Sequence, residues 1–354
     1  MKYWKGGSID MRVALLNSAT PFVRGGAEIL VDDLTEQLML RGHSVQLYRL
    51  PFPNNYEQPL ISTILAAQSL RLESYDRVIS FKFPAYCIRH RSSAFWIFHQ
   101  FRQVYELWDK EYGLKDTSDA RAIRDLVREA DRQAFSSARH VYTNAREVSN
   151  RLKTYNGFDS AVLPPPLKNV GEYHCGDTTD YIFYPSRITN LKRQHLAVEA
   201  MRHTKSKVRL YVVGRCTEPE YDQTIKELIR KYNLHDKVVY RNEWISDTEK
   251  IKLIADSLGM IYIPYKEDSC GFVTMEAFYA SKPTISCTDS GGTYELITDG
   301  QNGLFAEPDP KSLARAMDAL YEDKMTAVRM GEDGYREIVA RNITWDETIR
   351  KLLL

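Results

Sequence analysis

The chain has 354 residues, of which 43% are hydrophobic and 27% charged, so it is long enough for two domains with separate cores. This composition excludes a disordered or fibrous protein. The 48 Lys and Arg residues balance 47 Asp and Glu residues to a formal charge of +1, which gives no general reason to expect a nucleic acid partner.

The five cysteines are scattered and contain no C-x-x-C pair, which argues against a disulfide framework and against a zinc site. An apolar run of the roughly 20 residues that a membrane-spanning helix needs is missing, as is a signal-like apolar region at the N-terminus. We therefore expect a cytoplasmic protein, with at most a peripheral contact at the inner face of the membrane.

The first predicted domain covers residues 11–168. Residues 1–10 precede a second methionine, Met11, and are interpreted as an extension or an added remnant outside the fold. From Met11 onward, strand-like and helix-like runs alternate, as in a parallel doubly wound sheet. The predicted strands are Arg12–Asn17, Ser44–Leu50, Arg77–Phe81, Ala94–His99 and His140–Thr143.

The second predicted domain covers residues 169–342, after the stiff run Leu163-Pro-Pro-Pro166. Its predicted strands are Tyr181–Tyr184, Val208–Val213, Val238–Tyr240, Met260–Ile263 and Thr284–Cys287. The fold class is therefore α/β with two Rossmann-like domains. Because open α/β sheets bind ligands at the carboxyl ends of their strands, we expect one cleft between the two domains.

The segment from Asp268 to Glu276 places an acid, seven residues and a glutamate between a strand-like and a helix-like run. The first N–H groups of a helix suit an anion such as phosphate, and Gly271 permits close backbone approach there. Glu276, about one turn into the helix, can accept hydrogen bonds from paired ribose hydroxyls. Taken alone, the two acids are equally explained as solvated charges beside a turn.

Two cations follow the first strand of the second domain. Arg187 and Lys192 are five residues apart and can reach one diphosphate, Arg with a planar fork and Lys with a point charge. A pair of ordinary surface cations is the alternative. Because the sequence contains no Asp-x-Asp pair, a metal-bridged diphosphate lacks its most obvious ligands, and no metal is expected.

The first domain has a glycine turn, Gly25-Gly26, after its first strand. Such a turn exposes backbone N–H groups. It is neither a phosphate-binding Walker loop nor a complete G-x-G-x-x-G fingerprint, so it argues against a dinucleotide-dependent oxidoreductase.

Taken together, these motifs resemble glycosyltransferase family 4, the retaining, nucleotide-sugar-dependent enzymes of GT-B architecture. The resemblance extends over nearly the whole chain from Met11 and includes Asp289 to Glu295, which is similar to the family's Gly-Gly-x-x-Glu loop. Asp268 departs from the pattern, since it stands where the family has its first glutamate.

The resemblance implies a role for each matching residue. Arg187 and Lys192 neutralise the diphosphate, Glu276 binds the ribose, and Asp268 and His99 contact the transferred sugar. Donor-binding positions are completed by Gly25, Gly26, Gly214, Trp244, Gly271, Phe272 and Val273; Trp244 is equally explained as a core residue. Residues 343–354 are expected to form an amphipathic helix that crosses back to the first domain, or else a simple packing helix.

The family's chemistry is transfer with retention of anomeric configuration, in which the departing diphosphate takes the acceptor proton. We expect a UDP- or GDP-sugar as donor, no cofactor and no metal. The acceptor hydroxyl stays open between a saccharide, a lipid-linked and a small-molecule acceptor; basic and aromatic residues between Phe81 and Tyr112 favour a membrane surface or are ordinary core. A GT-B nucleotide-sugar 2-epimerase and a non-catalytic nucleotide-sugar-binding protein are the competing interpretations.

Overall fold

The computed structural model describes residues 10–21, 25–52, 60–267 and 271–354. The chain divides into two compact units, one formed by residues up to Pro166 together with Thr344–Leu354 and the other by Leu167–Ile343. Each unit has its own apolar core. The division falls two residues before the boundary predicted near residue 168.

Within its described residues, the first unit has a six-stranded parallel sheet with strand order β2-β1-β3-β4-β5-β6. Its strands are β1 (Arg12–Ala19), β2 (Ser44–Pro51), β3 (Arg77–Lys82), β4 (Ser93–His99), β5 (His140–Thr143) and β6 (Ala161–Val162). Its helices are α1 (Gly26–Leu40), α2 (Leu60–Ser69), α3 (Ser118–Ser137) and α4 (Arg146–Asn156). All six residues of β3 are buried, as expected of a central strand covered on both faces.

The second unit has a parallel sheet of six described strands in the order β12-β11-β10-β7-β8-β9. Its strands are β7 (Tyr181–Pro185), β8 (Arg209–Gly214), β9 (Val238–Asn242), β10 (Gly259–Ile261), β11 (Thr284–Cys287) and β12 (Gly303–Ala306). Its helices are α5 (Gln194–Ala200), α6 (Pro219–Lys231), α7 (Asp247–Ala255), α8 (Phe272–Tyr279), α9 (Pro310–Glu322) and α10 (Lys324–Ala340). The predicted fold class is confirmed, although the short strands β6 and β12 were not predicted.

The C-terminal helix α11 (Trp345–Leu353) belongs to the first unit. Its N-cap is Thr344, whose side chain accepts a hydrogen bond from the backbone N–H of Glu347. The guanidinium of Arg77 donates to the carbonyl of Leu353 at 2.7 Å, and the hydroxyl of Tyr142 donates to that of Lys351 at 3.1 Å. These bonds fix the last turn of the helix on strands β3 and β5.

No described helix combines the length and the apolar character that crossing a lipid bilayer requires.

Candidate functional site

Three loops meet at the carboxyl edge of the second sheet, after β7, β10 and β11. Their backbones are joined directly: the N–H of Tyr265 donates to the carbonyl of Leu191 at 2.8 Å, and the N–H of Lys266 donates to that of Asp289 at 3.0 Å. Glu267 bonds the third loop on both sides, donating to Ser290 and accepting from Gly292. The segments that carry the predicted phosphate cations and the Gly-Gly loop are therefore neighbours.

Arg193 holds these three loops together from inside. Its guanidinium makes a two-pronged ion pair with Asp289 at 2.6 and 2.7 Å, and it also donates to the carbonyl of Ile263 at 2.8 Å. Burial alone would lower the pKa of Arg193, but the hydrogen-bonded carboxylate of Asp289 outweighs burial and raises the pKa. Sequence reasoning selected Lys192 and passed over its neighbour, whose partners are far away along the chain.

Lys192 lies in a small polar cluster at the same edge. Its ammonium donates to the hydroxyl of Tyr262 at 2.6 Å and forms an ion pair with Glu267, and the Tyr262 hydroxyl donates to Glu267 at 2.8 Å. Burial and the Glu267 carboxylate together raise the pKa of Tyr262 well above its usual range. The partner of Lys192 is therefore the carboxylate of Glu267, which the sequence did not predict.

Arg187 is exposed; its backbone carbonyl accepts from Ser186 and Gln194, while its guanidinium has no hydrogen bond or ion pair among the residues that the structure describes. It follows β7, and its charge acts on the hydroxyl of Tyr262. The guanidinium is therefore available to an anion beside the Lys192 cluster.

Helix α8 begins at this cluster. Gly271, its N-cap, has a φ of +80°, and a Cβ placed there would lie 2.4 Å from a ring carbon of Tyr262. Only glycine fits both constraints. Gly271 has no side chain that could cap the helix. The first backbone N–H groups of the helix, at Phe272 and Val273, therefore lie next to the Tyr262 ring without a side-chain cap from Gly271. Asp268, the first acid of the predicted motif, lies outside the described residues.

Glu276 is 7% exposed and is held by a separate set of partners. Its Oε1 accepts from the ammonium of Lys250 at 2.8 Å and from the hydroxyl of Tyr173 at 3.2 Å. Burial lowers the pKa of Lys250, but the Glu276 carboxylate outweighs it and raises the pKa. Neither partner was predicted, because Tyr173 is 103 residues from Glu276 and no local spacing signals the contact.

Two further predicted donor residues lie on the β8 and β9 side of this sheet. A Cβ on Gly214 would be 1.8 Å from the carbonyl oxygen of Ser186, so glycine is required where β8 meets the loop after β7. Trp244 follows β9 and is 61% exposed, which excludes the alternative that it is a core residue.

In the first unit, the glycine turn forms the N-terminus of α1. The N–H of Gly25 donates to Glu28 at 3.0 Å, and Glu28 forms an ion pair of 2.7 Å with Lys82 at the end of β3. Burial would raise the pKa of Glu28, but Lys82 outweighs it and lowers the pKa. Gly25 is buried and Gly26 exposed, while Arg24 of the same loop lies outside the described residues.

His99 ends β4 in the first unit. Its Nδ1 lies 2.9 Å from the carbonyl oxygen of Gln100, and the Gln100 side chain is hydrogen-bonded to Asn156 on α4. The imidazole is half-buried, at the carboxyl edge of its sheet, where the resemblance expects it. The contact with a sugar stays a prediction.

Residues 172–337 match the family described as Glycosyl transferases group 1. The matched stretch lies within the second unit and covers just under half of the chain. The match confirms the resemblance stated from the sequence. It also indicates the enzyme class that the sequence predicted, a glycosyltransferase.

Two curated relatives are similar to part of this chain. An alpha-1,3/1,6-mannosyltransferase, ALG2, of Dictyostelium discoideum is 28% identical over 36% of this chain and 30% of its own length. A D-inositol 3-phosphate glycosyltransferase of Xylanimonas cellulosilytica is 24% identical over 49% of this chain and 40% of its own length. The chain therefore spans less than half the length of these relatives.

Two solved structures share the fold along nearly the whole chain. A sucrose-phosphate synthase from Thermosynechococcus elongatus has a TM-score of 0.76 and 16% identity, covering 97% of both chains. HepE from Anabaena, in complex with UDP-glucose, has a TM-score of 0.70 and 16% identity, covering 97% of this chain and 98% of its own. At such identity the likeness establishes the fold.

Proposed function

We propose that this GT-B protein is a retaining glycosyltransferase that moves a hexose from a UDP- or GDP-sugar to a hydroxyl acceptor without a metal. The observation that carries the proposal is the cluster of Lys192, Tyr262 and Glu267 against the start of α8. It places an ammonium, an exposed guanidinium at Arg187 and the first backbone N–H groups of α8 at one edge of the sheet.

The diphosphate binds by displacing Glu267 from Lys192. A diphosphate carries more negative charge than one carboxylate, so Lys192 and Arg187 bind it more strongly at equal distance. The fixed cations then stabilise the charge that develops on the leaving group, which is worth several kcal/mol in a poorly hydrated site. This chemistry needs no metal ion, because side chains supply the positive charge.

The ribose binds at Glu276. Both protein contacts are made to Oε1, so Oε2 is left to accept from paired hydroxyls. Lys250 and Tyr173 hold the carboxylate in one orientation, which reduces the entropy lost on binding.

The transferred sugar reacts on the face of the leaving group, whose oxygen takes the acceptor proton. His99 and Asp268 contact that sugar, as the resemblance implies. Related proteins support a nucleotide sugar, since the structure of HepE holds UDP-glucose, but their activities do not point to one acceptor. Saccharide and lipid-linked acceptors, the latter with a peripheral membrane contact, are both within the proposal.

Calorimetry with UDP, GDP and their hexose conjugates, in the presence of EDTA, tests the donor class. We expect one nucleoside diphosphate to bind and its sugar conjugate to be hydrolysed slowly or transferred, with the product anomer identified by NMR. Absence of binding by every nucleotide would refute the proposal, an inverted product would refute retention, and rescue by added Mn²⁺ or Mg²⁺ would refute metal independence. Epimerised donor without transfer would identify a 2-epimerase.

A further inference from the structure

A series of hydrogen bonds runs through the first unit from His99 into the interior. It starts at the end of β4, where the Nδ1 of His99 lies 2.9 Å from the carbonyl oxygen of Gln100. A carbonyl oxygen only accepts hydrogen bonds, so the ring nitrogen that faces it carries the proton. The other ring nitrogen, Nε2, is then the acceptor of the neutral imidazole.

The side chain of Gln100 continues the series. Gln100 is 3% exposed, and its amide nitrogen donates to the side-chain oxygen of Asn156, the last residue of α4. Because this bond uses the oxygen of the Asn156 amide, the amide nitrogen serves a second partner. It donates to the hydroxyl oxygen of Tyr105 at 2.9 Å. The residue whose carbonyl holds His99 is therefore anchored to α4.

The series ends at Asp131 on α3. The hydroxyl of Tyr105 donates to one carboxylate oxygen at 2.8 Å, and the hydroxyl of Tyr86 donates to the other at 2.9 Å. Asp131 and Tyr86 are fully buried, and Tyr105 is 4% exposed. An ionised carboxylate accepts and does not donate, so it fixes the direction of every bond that leads to it.

Four residues, Gln100, Asn156, Tyr105 and Asp131, thus form one polar chain whose bonds all point the same way. A connected polar network holds its members in one arrangement when each link is made. Apolar side chains could fill the same space without the cost of burying a carboxylate. The polar chain instead ties α3 and α4 to the segment after β4, which carries His99.

We propose that the polar chain positions His99, holding its imidazole in one orientation with Nε2 as the hydrogen-bond acceptor. Gln100, Asn156 and Tyr105 are positioning residues, since they act on the reaction through the imidazole. Nε2 then accepts from a hydroxyl of the transferred sugar, and this contact rests on the proposed function. A sugar without that hydroxyl leaves Nε2 unpaired and is a poorer donor.

Tyr105→Phe and Tyr86→Phe form a matched pair of tests. Each removes one phenol hydroxyl from the same carboxylate, but Tyr105 lies on the path to His99 and Tyr86 does not. We expect the kcat of donor turnover to fall about fivefold or more in Tyr105→Phe and to stay unchanged in Tyr86→Phe. The Kd of the nucleoside diphosphate, which the proposed function places on the second unit, should be unchanged in both.

Nitrogen NMR of the full chain, labelled in its histidines, gives a readout that does not depend on activity. The signals of His99 are those that disappear in His99→Gln. At pH 8 the Nδ1 of His99 should carry the proton in the unchanged protein and in Tyr86→Phe, whereas Tyr105→Phe should show a mixture of the two tautomers.

Asn156→Ala breaks the polar chain next to Gln100 and serves if Tyr105→Phe does not fold. Asn150→Ala, at an exposed position of the same helix, is its control and should behave as the unchanged protein. A proton on Nε2 in the unchanged protein would overturn the proposal, as would an equal loss of kcat in the two tyrosine variants. The expected tautomers without turnover of any donor would refute the proposed function and still support the positioning of His99.

Discussion

Lys192 and Glu267 form an ion pair at the position where the proposed function requires a diphosphate. The two side chains are 18% and 17% exposed, so the pair is largely shielded from water. Glu267 therefore acts as a built-in counterion that a ligand has to replace. This arrangement avoids leaving a half-buried ammonium unpaired when no donor is bound.

Substituting Glu267 should strengthen nucleotide binding, whereas substituting Lys192 should weaken it. Glu267→Gln removes the competing charge, and we expect the Kd of the nucleoside diphosphate to fall by about fivefold. Lys192→Met should raise that Kd and reduce kcat/KM by roughly two orders of magnitude, by analogy with the loss of one oxyanion donor. Calorimetry and donor-turnover assays measure both effects.

The control for this pair is Lys207→Met, which removes an exposed lysine elsewhere on the same unit and should leave Kd and kcat/KM unchanged. Near-normal turnover in Lys192→Met would remove that residue from the mechanism. Weaker binding in Glu267→Gln would contradict its role as a counterion.

The partners of Glu276 should matter for both stability and donor affinity. Lys250→Met leaves the carboxylate without its cation and should lower the free energy of unfolding by about 2–3 kcal/mol. Tyr173→Phe removes one neutral donor and should cost about 1 kcal/mol. Urea unfolding measures the stability, and the Kd of the nucleotide reports the orientation of Glu276.

The two effects can be separated by comparing UDP or GDP with inorganic diphosphate. If Glu276 binds ribose, Tyr173→Phe should weaken the nucleotide and leave inorganic diphosphate unaffected. Equal weakening of both ligands would place Glu276 elsewhere in the site.

Asp131 should make the first unit less stable as the pH rises. It is fully buried on α3 and accepts hydrogen bonds from Tyr86 and Tyr105 at 2.9 and 2.8 Å, and burial raises its pKa to about 7. Its ordinary pKa is about 4. Between pH 4 and 7 the folded state holds a proton that the unfolded state has lost, so stability falls across that range and is flat above it.

The decline is at most about 4 kcal/mol, from 1.36 kcal/mol per pKa unit. Urea unfolding between pH 4 and 8 should show a flatter profile for Asp131→Asn than for the unchanged protein. Asp125→Asn, at an exposed position of the same helix, is the matched control and should retain the full slope. A slope unchanged by Asp131→Asn would show that another group is responsible.

Gly214→Ala should be strongly destabilising. The added Cβ would lie 1.8 Å from the carbonyl oxygen of Ser186, so β8 or the loop after β7 has to move. We expect a loss of about 2–3 kcal/mol and weaker nucleotide binding, because the displaced loop leads to Arg187. Gly171→Ala, where nothing lies within 4 Å, should change the thermal midpoint little; similar losses in both variants would show that crowding at Gly214 is not the cause.

The sequence predicted features that depend on local order along the chain. The alternation of strands and helices, the cations at Arg187 and Lys192, and the glycine before α8 all lie within short segments. It could not predict contacts that depend on how loops meet. Glu267, Lys250 and Tyr173 became visible only with the fold, because their partners are separated by up to 103 residues.

Arg193 cross-links the loops after β7, β10 and β11, so the three loops are structurally coupled. The backbone of Arg193 has a φ of +57°, and its buried guanidinium bonds the other two loops at once. A chimera that imports one of these loops from a relative would therefore carry a loop shaped for different neighbours. Changing the donor preference by loop exchange requires moving all three together, with the arginine and the aspartate at position 289 kept as a pair.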